Sequence, residues 1–329
     1  MKKSKIINHV IYFIHHNYLD LSTSSSLGII GKLKRKVISL LYLIIVKTGN
    51  PLVELKLAGY PFFVPFSHNL PICLKFYPYY TLNLSRLARH VKDKYPDLKF
   101  IDIGANIGNS IPALRQKAYF PILCIEGDED FFNVLQINAK LFPDAQVIKA
   151  FLGERASHSK LKIIKKRGTA CLMPEGNTKS CVKIRKLDEI LLEKNMFSDS
   201  KMVKVDTDGF DAMVLRGAQD FLSARKPVIF FEYDPYLLSL HNEDGLSLLE
   251  YLKGLGYRGL LIYDNRGEFM LSANLEQSRI LQELNLYFSG KAGKSYCDIC
   301  AFHIEDEDIF GRARNAEVEF FNQQKLQGK

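Results

Sequence analysis

The sequence predicts an α/β protein: a mostly parallel sheet with helices on both faces, preceded by an N-terminal helical and hairpin cap. Three observations carry this. From Lys99 onward, short apolar runs alternate with stretches of helical spacing, the pattern that β–α–β crossovers leave in a sequence. Residues 100 to 108 read Phe-Ile-Asp-Ile-Gly-Ala-Asn-Ile-Gly: a strand, a tight turn and a helix start, where an open sheet forms its ligand crevice. The 329 residues, 47% hydrophobic and 25% charged, suffice for one large α/β domain with an appendage.

Taken in order, residues 1 to about 50 read as helical, interrupted by the polar patch Ser22 to Ser26. Val37 to Val46 is apolar except for Ser39, and is well short of the roughly 20 residues that span a bilayer. Its expected form is a buried helix. Lys32, Lys34, Arg35, Lys36 and Lys47 flank it, so the second reading is a basic interfacial helix over residues 32–47, peripheral at the inner face of a membrane. Val53 to Leu57 alternates, Gly59-Tyr-Pro61 turns and Phe62-Phe-Val64 returns, which predicts a hairpin. Pro61, Pro65, Pro71 and Pro78 punctuate the following segment, and Leu82 to Lys94 has helical spacing. These features set an N-terminal cap at 1–95, a main domain at 96–310 and a tail at 311–329.

Within the main domain, strands are expected at Lys99–Ile103, Ile122–Glu126, Gln146–Ala150, Val203–Asp206, Val228–Phe231 and Leu260–Tyr263. Helices are expected at Ser110–Tyr119, Asp128–Leu141, Leu187–Glu193, Asp211–Ser223 and Gly245–Leu255. Leu161–Lys165 and Cys181–Arg185 suggest a small inserted hairpin, and Tyr296–His303 a final strand.

The formal charge of +9 fits an anionic partner or simply a basic surface. The six cysteines are scattered; Cys297-Asp-Ile-Cys300 has CxxC spacing but no second pair, so neither a metal site nor a redox site is expected. The opening Met-Lys-Lys-Ser-Lys is followed by an apolar run broken at Asn8 and His9, without a small-residue cleavage site, so the expectation is no signal peptide and a cytoplasmic setting.

Asp102, Gly104 and Gly108 form the first element of a cofactor constellation. The glycines let backbone approach a ligand, but Asn106 stands where a dinucleotide fingerprint has its middle glycine. Asp102 would repel a pyrophosphate and suit a cation, such as S-adenosylmethionine with its sulfonium and ammonium. Glu126 closes the next strand; an acid about 20 residues on commonly takes ribose hydroxyls.

Asp-Ile-Gly-Ala-Asn-Ile-Gly108, Glu126 with Asp128 and Asn138, Lys204-Val-Asp-Thr-Asp-Gly-Phe-Asp211, Leu215-Arg-Gly-Ala218, Pro227 and Glu232 together resemble the FkbM family of S-adenosylmethionine-dependent methyltransferases. Many of these act on hydroxyls of sugars or polyketides. The resemblance covers about residues 99 to 235. It implies a Rossmann-like class I methyltransferase sheet, with Asp102, Gly104 and Gly108 at the methionine part, Glu126 at the ribose, the Ala150-Phe151 region at the adenine, and Asn106 also among the cofactor-binding residues. The chain departs from the family at two points: Glu126-Gly127 stands for the usual Glu-Pro, and Asp208 and Asp211 replace two glutamates.

Methyl transfer to an alcohol requires alignment and a base. Asp206, Asp208, Asp211 and Glu232 follow the fourth and fifth strands, at the crevice edge. Asp206 is the first choice because it directly ends its strand; Lys204 lies within that strand without an assigned face. Asp206, Asp208 and Glu232 are also ligands that Mg²⁺ accepts, although a metal-free site is preferred. The leading function is O-methylation of a sugar, nucleotide-sugar, glycan or related secondary metabolite. The basic stretch Lys160 to Arg167, with Lys179, Lys183, Arg185 and Lys186, would suit a phosphorylated acceptor. The alternatives are an RNA or other nucleic-acid methyltransferase, disfavoured because Asp206-Thr-Asp-Gly209 stands where base methylation needs an Asn/Asp-Pro-Pro loop, and a catalytically degenerate binding protein of the same fold.

Overall fold

The computed structural model describes residues 11, 13–15, 17, 18, 20, 28–166, 168–174 and 181–327. The Ser22–Ser26 break, the first ten residues, Arg167 and Lys179 lie outside them. The chain divides into two compact units, Met1–Pro78 and Tyr79–Lys329.

The first unit contains helix α1 (Ile29–Lys47), the antiparallel pair β1 (Leu52–Leu57) and β2 (Tyr60–Pro65), and helix α2 (Leu70–Phe76). The hairpin forms as its alternation predicts: Val53, Leu57, Phe62 and Val64 are buried and Glu54 and Lys56 exposed. Helix α1 is not the buried helix expected. Ile38 is its one buried residue, while Leu33, Val37, Leu40 and Ile44 are exposed. Apolar residues occur all around this helix, and composition alone does not choose which side finds a partner.

The second unit begins with helix α3 (Leu82–Lys94), whose Leu84, Leu87, Ala88 and Val91 are buried at i, i+3, i+4 spacing. Then come β3 (Phe100–Ile103), α4 (Ser110–Arg115), β4 (Ile122–Glu126), α5 (Glu129–Ala139) and β5 (Ala145–Lys149). Asp128 caps α5 by accepting the Asp130 and Phe131 backbone N–H groups. An excursion follows: β6 (Phe151–Leu152), β7 (Ser157–Ser159), β8 (Leu161–Lys166), β9 (Thr169–Pro174) and β10 (Val182–Arg185). Here the expected hairpin partner is corrected. β8 pairs antiparallel with β9, and β10 pairs with β6 and β7. Gly168, at φ +115°, turns the chain straight back into a second strand.

The remainder is α6 (Leu187–Glu193), β11 (Met202–Val205), α7 (Asp211–Arg216), α8 (Gln219–Arg225), β12 (Val228–Tyr233), α9 (Pro235–Ser239), α10 (Gly245–Gly254), β13 (Tyr257–Asp264), β14 (Phe269–Asn274), α11 (Ser278–Ser289), β15 (Cys297–His303) and α12 (Glu307–Gln327). The main sheet has the order β14-β13-β15-β12-β11-β3-β4-β5. From β5 to β12 neighbours are parallel; β15, β13 and β14 complete it antiparallel. This is a Rossmann-like α/β architecture.

Strand parity assigns the two faces. Ile101, Ile103, Leu123, Ile125, Val203, Val205, Ile229 and Phe231 join one apolar cluster with α6, α7, α8, α10 and α11. Residues of opposite parity face the other layer: Ser110 of α4 reaches Asp102, and Phe310 of α12 packs against Gly259 and Phe302. Cys297 and Cys300 are free, buried and on opposite faces of β15.

Candidate functional site

The site forms at the carboxyl edge of the parallel strands. After β3, the loop folds as Gly104 (φ +73°), Asn106 (φ +52°) and Gly108 (φ +86°). Gly104 is obligatory for packing: a Cβ would collide with the Asp206 carbonyl oxygen of the neighbouring strand. Gly104 and Ala105 donate backbone N–H groups to the Ile125 carbonyl. Asn106 bonds in three directions. Its backbone N–H donates to Glu126 Oε2 (2.8 Å), its Nδ2 to the Gly168 carbonyl (2.8 Å), and its Oδ1 accepts from Ile107 N–H (2.8 Å). Asn138 on α5, fully buried, donates to the Ile107 carbonyl at 2.8 Å.

Glu126 ends β4 and is buried. Oε1 accepts from Asp128 N–H at 2.7 Å, and Oε2 from Asn106 N–H. Burial pushes its pKa up to about 7, against the pull of these N–H donors. Each oxygen keeps a lone pair for a further donor. Gly127 accommodates an aromatic ring: Phe151 lies so close over it that a Cβ would collide with the ring. That contact is a physical reason for glycine where the family has proline. Phe151 thus stands beside Glu126, half-buried and packed on the core.

Asp102 is fully buried. Its Oδ2 accepts the Ser110 hydroxyl, and its Oδ1 lies 3.3 Å from Lys204 Nζ. Asp102 and Lys204 are register partners on β3 and β11, so their side chains emerge on the same face. Lys204 also pairs with Asp206 at 3.0 Å. Asp102 is therefore neutralised from inside the protein and fixes the start of α4. Asp206 is half-exposed and held by the lysine.

After β11 the chain turns sharply. Asp208 adopts φ +50° and Gly209 φ +104°. Asp211 Oδ1 and Oδ2 accept the Thr207 and Gly209 N–H groups, both at 3.2 Å. This ties the turn to the start of α7. Burial, then Asp206 and Asp211, raise Asp208 to about 7; burial and Asp206 bring Asp211 to about 7. Glu232, on β12, is buried with Oε2 unpartnered and sits opposite Asp298 of β15 in the ladder. Burial and the surrounding Asp206, Asp208 and Asp211 push Glu232 well above the carboxylate range, and burial and Asp206 do the same to Asp298. Tyr296 next to it is raised by burial and by Glu232.

The structure thus brings Asp206, Asp208, Asp211 and Glu232 together and adds Lys204, Asp298 and Tyr296. Asp298 carries a sequence signal of its own: a carboxylate inside a buried strand is rare without a reason. The β8–β9 hairpin reaches the same edge. Besides the Asn106–Gly168 bond, Lys165 pairs with Asp128 (2.8 Å) and Asp130, and Asp208 is close enough to raise the Cys171 thiol further after burial. Among the described residues no group of three or more His, Cys, Asp or Glu side chains is arranged to hold a metal ion.

Residues 102–258 match the family model of the methyltransferase FkbM domain. The chain contains an FkbM methyltransferase domain. It starts at Asp102 and encloses Glu126, the acidic turn and Glu232. Among solved structures, the methyltransferase FkbM from Methylobacillus flagellatus is 20% identical over 50% of this chain and 39% of that one, with a TM-score of 0.36. The matched stretch spans about two fifths of that protein. The precorrin-6y C5,15-methyltransferase from Geobacter metallireducens is 16% identical over 63% and 80%, TM-score 0.32. The TYW2 of M. jannaschii, in complex with AdoMet, is 11% identical over 77% and 87%, TM-score 0.35. At these scores the overlap is partial and identifies no substrate. No curated protein matches the chain.

Proposed function

We propose that this FkbM methyltransferase is S-adenosylmethionine-dependent and methylates a hydroxyl of a sugar, nucleotide-sugar, glycan or related secondary metabolite, in a cytoplasmic setting suited to its free cysteines. The observation that carries the reading is the carboxyl edge itself. Glu126 is tied to the glycine loop on one side, and Asp208, Asp211 and Glu232 gather on the other. The donor set fits the cofactor: Glu126 has lone pairs for a vicinal diol, the loop after Gly104 offers close backbone approach, and the acidic edge suits a sulfonium and an ammonium. Phe151 beside Gly127 supplies an aromatic face for adenine. When bound, S-adenosylmethionine supplies an electrophilic methyl group with a thioether leaving group.

The residues divide the remaining work by their environments. Asp208, poised at about 7, accepts the hydroxyl proton of the acceptor; a base near the operating pH is the effective one. Glu232, held protonated by burial and neighbouring acids, donates a hydrogen bond to an acceptor oxygen. Asp206 serves the site through Lys204, and Asp102 positions both Lys204 and α4. Exposed Lys160 and Lys162 on or beside β8 favour an acceptor carrying phosphate.

Calorimetric titration with S-adenosylmethionine tests the cofactor assignment. Wild type binds and Glu126→Ala binds at least tenfold more weakly; equal binding overturns the ribose role. Mass spectrometry of nucleotide-sugar incubations then reads the added methyl group. Asp208→Asn keeps cofactor binding and loses on the order of a hundredfold in turnover.

A further inference from the structure

Helix α1 (Ile29–Lys47) is covered on one side and bare on the other. Ile38 is buried, and Tyr42 stacks on Tyr18 with ring centroids 3.8 Å apart. On the opposite side Ile29, Leu33, Val37, Leu40 and Ile44 are 88, 63, 51, 60 and 48% exposed. At 3.6 residues per turn these five fall within an arc of about 80°. Single exposed aliphatics are ordinary, but a continuous stripe of them marks an interaction surface.

The rim of the stripe identifies the partner. Lys32 and Lys36 border it on one side, Lys34 on the other, and Lys47 closes its end, all exposed. Between Leu21 and Val53 the sequence has no Asp or Glu. A second copy docking through this face would set lysine rims against each other. An anionic lipid surface instead receives the aliphatics below and the ammonium groups at the phosphates. Among the described residues no helix is long and apolar enough to cross a membrane.

We propose that α1 is an interfacial anchor: it lies in the headgroup region of an anionic phospholipid bilayer, with the Ile29–Leu33–Val37–Leu40–Ile44 stripe inward and Lys32, Lys34, Lys36 and Lys47 at the lipid phosphates. The helix is about 28 Å long, so the whole stripe lies along the surface at once. This anchor is independent of the methyl-transfer chemistry and does not rest on it.

The test is co-sedimentation of the full chain with sucrose-loaded vesicles of phosphatidylcholine alone and of a roughly 7:3 mixture of phosphatidylcholine and phosphatidylglycerol. Wild type partitions at least tenfold more strongly onto the anionic vesicles, and raised salt weakens it. The stripe variant Leu33→Glu/Leu40→Glu/Ile44→Glu loses at least tenfold. The substituted positions are exposed, and circular dichroism checks that its fold is kept. Lys32→Gln/Lys34→Gln/Lys36→Gln loses about fivefold per cation while retaining the aliphatic stripe. The proposal falls if wild type ignores anionic vesicles, if it binds neutral vesicles equally well, or if the stripe variant binds like wild type. It also falls if light scattering shows a wild-type dimer that the stripe variant converts to monomer, which would assign the face to a second copy.

Discussion

Lys204→Met should be among the most damaging single substitutions in the second unit, although the residue is polar and lies at the edge of the site. Its ammonium is 3.3 Å from Asp102, which has no exposure to solvent, and 3.0 Å from Asp206, which is half-exposed. At an effective dielectric of 20 the Asp102 pair is worth about 5 kcal/mol of Coulomb attraction. Desolvation of both charges offsets much of this, so the pair itself adds little to net stability. Removing only the lysine is different, because it leaves a buried carboxylate with one hydroxyl partner. That costs about 3–5 kcal/mol. The screened Asp206 pair adds less than about 1 kcal/mol. The double variant Asp102→Asn/Lys204→Met removes both charges and should recover at least about 2 kcal/mol. The chain has no tryptophan, so urea unfolding is followed by far-ultraviolet circular dichroism at matched protein concentration. A Lys204→Met loss below about 1 kcal/mol, or a double variant whose loss is the sum of the two single ones, would refute the claim that these charges form one buried unit.

Three further outcomes follow from the site. Gly104→Ala would drive a Cβ into the Asp206 carbonyl at φ +73°; the obstacle is backbone, so the loss is at least about 3 kcal/mol by thermal or urea unfolding. Wild-type affinity for S-adenosylmethionine should rise as pH passes through about 7, where Glu126 ionises; Glu126→Gln should bind more weakly at pH 8 and show a shallower slope in calorimetry, the remainder coming from Asp208 and Asp211. Turnover should remain within about twofold after EDTA dialysis, because Lys204 already places positive charge against Asp102 and Asp206.

Much of the sheet was legible because buried strands and their glycine turns leave local signals. Ile122–Glu126 and Leu187–Glu193 form at the expected bounds. The long helix expected over Asp211–Ser223 is instead two, meeting at Gly217-Ala218, where a Cβ on Gly217 would collide with the Gly153 carbonyl. That demand comes from a segment far away in sequence and is invisible locally. The same holds for the hidden half of the site. Lys204 could be placed in a strand, but its pairing with Asp102 depends on the β3–β11 register. Asp298 reaches Glu232 only because the last strand returns antiparallel beside β12. Glu126 was readable from its strand-end position, whereas its bond to Asn106 required the left-handed turn that the loop adopts.

The crowding of acids at this edge has a thermodynamic consequence that distinguishes a binding site from a structural cluster. Glu126, Asp208 and Asp211 are each raised to about 7 in the folded protein, while their unfolded counterparts ionise near 4. Between those limits the folded state holds more protons than the unfolded one, so stability must fall as pH rises from about 4 to about 7. For Glu126 alone the shift corresponds to about 3 kcal/mol; the two aspartates share Asp206 as a neighbour, titrate together and add less than their separate sums. A cationic ligand reverses the sign of this effect, because it favours the ionised acids. Unfolding midpoints of the unliganded protein should therefore drop across this window, and saturating S-adenosylmethionine should stabilise the protein more at pH 8 than at pH 5. If the unliganded protein instead gained stability across the same window, its carboxylates would be satisfied by internal partners, and the edge would be a structural ion network rather than a site awaiting a cation.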